Sequence, residues 1–278
     1  MEKRKTVNVV QPQKSRGCFI FLIVPFILMC MVIPLCIGAV TLAIVAGAVN
    51  TADVVEGTFT AELNNAESAQ INITSGIAQV NINPSTDSSD LFTADVAYTG
   101  EIDFSEGGDS NRTIRLEQVN ETNNFWDKLN ILGVGSLDLA WNIGITPDIP
   151  IALQLEGGVG ELNLSLEELT ITDLNLSVDV GAINMTLPAP IESRYEVNID
   201  GGVGGITINL PDNVAVRLEA EMGLGEVNIN NDTLQRIDGG NDNNEGNVDG
   251  IWETENFAGA DTAIIIRFDG AVGELSIN

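Results

Sequence analysis

Through the second half of the chain, apolar and polar residues alternate at every second position, break at a small residue, and then alternate again. Aligned on Gly160, Gly181, Gly204, Gly225 and Gly273, the segments read LQLEGGVGELNL, LNLSVDVGAINM, VNIDGGVGGITI, LEAEMGLGEVNI and IRFDGAVGELSI. Seven residues before the anchor stand Leu153, Leu174, Val197, Leu218 and Ile266, and five before it Leu155, Leu176, Ile199, Ala220 and Phe268. Immediately before it come Val159, Val180, Val203, Leu224 and Val272. Two and four residues after it are the pairs Leu162/Leu164, Ile183/Met185, Ile206/Ile208, Val227/Ile229 and Leu275/Ile277. A sixth copy, INITSGIAQVNI, centres on Ala78, and Gly133-Val134-Gly135 carries only the second half of the template. Period-two alternation on both sides of a glycine predicts two short strands per unit, each with one buried and one wet face, joined at a sharp corner. Glycine permits the backbone conformation and close approach that such a corner requires. A unit this small cannot bury its apolar face alone, so copies must stack rung on rung at about 4.8 Å. The expected fold is all-β: a β-solenoid or rack of two-strand repeats, with anchor spacings of 21, 23 and 21 residues and a last interval of 48. A β-sandwich satisfies the same alternation, and the pattern leaves open whether neighbouring units pair parallel or antiparallel.

Outside the repeats the pattern is less regular. Phe92, Val96 and Tyr98 alternate, as do Ile102 with Phe104 and Ile114 with Leu116, so residues 90–124 read as further β structure with a turn at Gly107-Gly108-Asp109. Residues 17–49 contain no charged side chain, enough for a helix across a bilayer's hydrocarbon core, which takes about 20 residues. Five basic residues against one acid precede this stretch, and seven basic against 39 acidic follow it. That asymmetry predicts one N-terminal transmembrane helix, a cytoplasmic basic tail over 1–16, and an extracytoplasmic remainder. A cleaved signal peptide is the rival, with Ala46-Gly47-Ala48 as its cleavage site, but its apolar core would be unusually long. Residues 50–65 read as a stalk, 66–278 as the β domain, and about 231–250 as a loop insertion into it, rich in Asn, Asp and Gly.

The INITSGIAQVNI pair, the middle WNIGITPDIPIALQLEGGVGELNLSLEEL, the DVGAINMTLP and GGVGGITINLP rungs and the closing RFDGAVGELSI resemble the bacterial toast-rack domain over roughly residues 65–278. More loosely they are similar to the putative-adhesin domain and to the C-terminal domain of LiaF, a membrane regulator of envelope-stress signalling. The resemblance implies a membrane-tethered β-rack at the cell envelope and supplies no catalytic residues. A single expected span differs from the several helices that precede the domain in LiaF.

Composition narrows the chemistry further. The chain has 278 residues, a formal charge of −28, no histidine and three cysteines, Cys18, Cys30 and Cys36, all in or beside the apolar stretch. Without histidine there is no Ser-His-Asp triad, no His-paired cysteine and no imidazole-bound metal. Excess negative charge repels nucleic acid, whose binding depends on lysine and arginine neutralising phosphates. Trp126, Trp141, Trp252 and two tyrosines are scattered, so an acid-based glycan-active enzyme lacks an evident aromatic platform. The expectation is a non-enzymatic, membrane-anchored module for envelope interaction or sensing, binding an envelope protein or itself. A cation-dependent surface adhesin is the alternative.

Two columns carry candidate chemistry. Four residues before the anchors stand Glu156, Ser177, Asp200, Glu221 and Asp269, a carboxylate ladder that would repel itself and could take up calcium, or else simply a solvated corner that keeps edges soluble. The gap before Asp269 is expected to separate it from the others. Three residues after the anchors, Asn163, Asn184, Thr207, Asn228 and Ser276 are placed to form hydrogen-bonded ladders along the stack. The loop carboxylates Asp238, Asp242, Glu245 and Asp249 match no EF-hand spacing. An open terminal rung, Gly270 to Asn278, would need a cover or a second molecule.

Overall fold

The computed structural model describes residues 54–119, 139–238 and 249–278. The expected tail, transmembrane segment, half-repeat at Gly133–Gly135, Trp126, Asp242 and Glu245 lie outside the described residues. Among those described, no helix is long and apolar enough to cross a membrane. The described residues are all-β, with one short 3-10 turn at Phe257–Gly259. Before the first long repeat run come β1 (Val55–Glu62), β2 (Ser68–Pro84), β3 (Asp90–Tyr98), β4 (Glu101–Gly107), β5 (Asn111–Val119) and β6 (Ala140–Ile145). Then follow β7 (Pro150–Ser165), β8 (Thr170–Thr186), β9 (Tyr195–Asn209), β10 (Val216–Ile229), β11 (Leu234–Asp238), β12 (Gly250–Thr254) and β13 (Ile264–Ile277). All thirteen join one open sheet ordered β1-β3-β6-β2-β7-β8-β9-β13-β10-β12-β11, with β5 on the first half of β2 and β4 on β5.

Six of these strands are the six sequence repeats, and each runs unbroken through its corner. They pair parallel in the order β2, β7, β8, β9, β13, β10, which answers the question the alternation left open. Ala78, Gly160, Gly181, Gly204, Gly273 and Gly225 face one another in a single column. A Cβ on Gly160 would sit 1.9 Å from the carbonyl oxygen of Ala78, and one on Gly181 1.8 Å from that of Gly160. The same contact recurs at Gly204, Gly273 and Gly225, at 1.6, 1.8 and 1.9 Å. Stacking at strand spacing therefore demands glycine wherever an anchor has a rung on that side. Ala78 can carry its methyl because it heads the column: no further anchor precedes it among the described residues.

The corner also shifts the parity of the strand. In β8, for example, Leu174, Leu176 and Val178 are buried, and then burial resumes at Ile183 and Met185, an odd interval later. This lets both arms turn their apolar sides inward, where one core cluster takes side chains from both. Fully burying each such side chain is worth about 1.5–3 kcal/mol, a gain that an isolated rung could not collect. The shift has one consequence that simple alternation does not predict. From β8 on, the apolar residue just before the anchor is carried outward: Val180, Val203, Val272 and Leu224 are 45%, 50%, 43% and 56% exposed, whereas Ile77 and Val159 are half-buried.

Chain order and stacking order diverge at the end. The last repeat, β13, is not an open terminal rung but is inserted between β9 and β10 and paired parallel on both sides. The 48-residue interval before it accommodates the antiparallel pair β11–β12, which covers the first arm of β10 through Arg217–Ala220. At the opposite end the expected stalk is in part a strand: residues 55–62 are β1, hydrogen-bonded antiparallel to β3. The expected insertion at 231–250 likewise contains β11 and the first residue of β12.

Candidate functional site

The outward face of the first arm repeats every rung, so side chains of equal offset from the anchor form columns. Six residues before the anchor the column reads Gln154, Asn175, Asn198, Arg267, Glu219 in stacking order, and four before it Glu156, Ser177, Asp200, Asp269, Glu221. Together they line a shallow groove of about 430 Å³ whose floor includes Leu155, Leu176, Ile199 and Phe268.

Insertion of β13 rearranges the charges expected from the sequence. Asp200 pairs with Asp269 in register, and Asp269 with Glu221, so three carboxylates occupy three consecutive rungs. Ser177 separates them from Glu156. The expected gap before Asp269 does not exist in space; it lies in the middle of the row. Even so, among the described residues no group of three or more Asp or Glu side chains is disposed to hold a metal ion.

The groove's arginine, Arg267, is held by Glu196 and Glu219. It donates to Glu196 at 2.5 and 3.2 Å and lies 3.6 Å from Glu219. Arg217 in turn donates to Glu219 at 2.6 Å and to Glu253 on β12. The hydrogen bond from Arg267 holds the Glu196 carboxyl below its usual range, and the same bond raises the guanidinium further. These bonds bind β9, β13, β10 and β12 side by side. They leave Asp200, Asp269 and Glu221 without a basic partner among the described residues.

The second arm carries the amide ladder foreseen in the sequence. Asn184 donates to Asn163 at 3.2 Å, Asn163 to Asn81 at 3.1 Å, and Asn81 to Asn142 of β6 at 3.0 Å. Farther along the stack the ladder changes character, because Asn228 and Ser276 both donate to Glu274, at 2.9 and 3.3 Å. A second ladder, Asn230 to Asn278 to Asn209 at 3.1 and 3.0 Å, runs five residues past the anchors, at the ends of β10, β13 and β9. Trp141 and Trp252 are buried. Tyr195 is also buried and donates its hydroxyl to the Pro188 carbonyl at 2.7 Å, and burial pushes its phenol well above the ordinary value. Asp238 and Asp249 flank the part of their loop that lies outside the described residues.

This arrangement can be set beside known proteins. A crystal structure of a "putative cell adhesion protein" from Clostridium sporogenes aligns with a TM-score of 0.66 at 23% identity, covering 81% of this chain and 99% of that one. A "putative adhesin" from Bacteroides fragilis aligns over 81% and 98% at 9% identity, with a TM-score of 0.25 that has no bearing on the fold. No curated protein sequence matches. The family model for the N-terminal domain of toast_rack, DUF2154, matches residues 50–209, which takes in every strand from β1 to β9. The chain belongs to the toast_rack family.

Proposed function

We propose that this protein is a non-enzymatic interaction module, anchored by residues 17–49 and displaying the rack outside the cell membrane. The observation that supports it most directly is the repeated face. Five rungs present side chains of matched offset in columns, an arrangement suited to a linear or repetitive partner rather than to a single small substrate. A binding surface made of strands held on both sides is also rigid, so little ordering entropy is lost on association. Adhesion at the surface and envelope sensing are both forms of this activity. The absence of histidine and the burial of Trp141, Trp252 and Tyr195 fit it better than a glycan-cleaving role. Chemical crosslinking of the full-length chain in its native membrane, followed by mass spectrometry, tests the proposal. Reproducible crosslinks from the rack to one envelope component support it. A purified chain that turns over envelope glycans would overturn it.

A cation-dependent form of the same role is favoured by one observation, the three consecutive carboxylates of Asp200, Asp269 and Glu221. It predicts a calcium-dependent rise in melting temperature that disappears in Asp200→Asn/Glu221→Gln. No shift with calcium would remove this form and leave the broader module in place.

A further inference from the structure

The outward-turned corner residues form a continuous apolar ridge. Val180, Val203, Val272 and Leu224 are direct neighbours on successive rungs, and each is near half exposed. The ridge is bordered on both sides by carboxylates. On the first-arm side run Asp200, Asp269 and Glu221; on the second-arm side, one residue past the anchors, stand Glu274 and Glu226, in register with each other. All five are exposed, and none is paired with an arginine among the described residues. An apolar strip between two acidic rows is the charge complement of an amphipathic helix whose apolar stripe is flanked by lysine or arginine.

Spacing selects helix over extended chain. Ridge side chains recur at the rung distance, about 4.8 Å, so three steps from Val180 to Leu224 span about 14 Å. One face of an α-helix presents side chains about every 5.4 Å, or about 16 Å in three steps. An extended strand repeats on one face about every 6.7 Å, or about 20 Å, and loses register after two rungs. The same charges disfavour other occupants. A second copy would bring identical acidic rows against each other, and an anionic lipid surface would be repelled.

We propose that this corner ridge, over β8, β9, β13 and β10, docks a cationic amphipathic helix of a partner protein or peptide. The proposal rests on the interaction-module reading and names its partner class. Titration of the full-length chain in detergent micelles with a fluorescent 18-residue Lys/Leu peptide of one continuous apolar face, read by anisotropy, tests it. The control is a peptide of identical composition scrambled to have no apolar face. The helical peptide should bind and the scrambled one should bind at least about tenfold more weakly. Val203→Ser/Val272→Ser, both at exposed positions, should weaken the helical peptide about tenfold or more. Asp269→Asn/Glu274→Gln should weaken it several-fold and flatten its salt dependence. Melting temperatures no lower than the parent's confirm that both variants are folded.

Equal binding of the two peptides, or full binding by the valine variant, would overturn the ridge. So would a ridge variant that changes only the oligomeric state of the chain, because a second copy would then be the occupant. The outcomes separate the two proposals. Crosslinks to an envelope component with no helical-peptide binding would leave the module standing and remove the ridge. Glycan turnover by a chain that still binds the peptide at the ridge would do the reverse.

Discussion

Replacing Gly204 by alanine probes the physical basis of the stack. The new Cβ would lie 1.6 Å from the Gly181 carbonyl oxygen and 2.7 Å from its carbon, whereas real Cβ contacts essentially never fall below 3.0 Å. No flexible side chain can yield, because both atoms are backbone. Opening β8 from β9 enough to relieve the clash forfeits one or two backbone hydrogen bonds at the corner, each worth about 0.5–1.5 kcal/mol net, and leaves their polar groups poorly paired at about 1–3 kcal/mol. The φ of 158° at Gly204, in a region essentially kept for glycine, adds a further cost of about 1–3 kcal/mol for an L-residue. Together these costs come to about 2.5–9 kcal/mol, large for one added methyl and a substantial part of the about 5–15 kcal/mol of a whole domain. Urea denaturation of the full-length chain, followed by far-UV circular dichroism, should show a midpoint lower by about 1 M or more. The internal control is Gly205→Ala, one residue on, where an added Cβ meets nothing within 4 Å. That variant should be neutral or slightly stabilised, since alanine reduces the entropy of the unfolded chain. If Gly204→Ala and Gly205→Ala unfold at the same urea concentration, the steric account of the glycine column is refuted.

Other consequences follow from charge and burial. Asp269→Asn removes the middle of three in-register carboxylates, and like charges directly opposite are destabilising; a melting temperature raised by about 2 °C, with the difference vanishing in 1 M salt, is the expected scan. Glu196 is held below its usual range by Arg267, so its contribution is present above the unfolded carboxylate pKa and is lost as pH falls through the lower folded value. Acid titration of stability should therefore be shallower in Glu196→Gln than in the parent, and identical slopes would contradict the pairing. Tyr195 has its phenol raised by burial, so folding loses stability as pH rises beyond the ordinary tyrosine range. Alkaline unfolding should shift to higher pH in Tyr195→Phe, while at neutral pH that variant loses about 1 kcal/mol with the hydrogen bond to Pro188.

The rungs were legible in the chain because their determinants are local. Alternation on each arm specifies which side chains face inward, the glycine specifies where the corner falls, and the offset of Asn163 and Asn184 specifies an amide ladder. Those features depend on a rung having some neighbour, whichever it is. Stacking order is another matter. All six repeats offer the same apolar columns and the same register, so almost any rung could sit on any other, and alternation cannot rank the choices. Which rung meets which depends on the connections: the β11–β12 hairpin caps β10, and the chain then returns to lay β13 between β9 and β10. That decision brings Asp200, Asp269 and Glu221 together although Asp269 is 48 residues from Glu221 in the chain. The ridge was hidden for a related reason. Val203 and Leu224 obey the same period as the core positions before them, and only the bend in three dimensions shows that they leave the core at the corner. The sequence by itself determined the unit and its buried faces, because these follow from side-chain period and backbone sterics. The tertiary structure alone decided the order of the units and the surface they compose, because both arise from contacts between segments that the local pattern makes interchangeable.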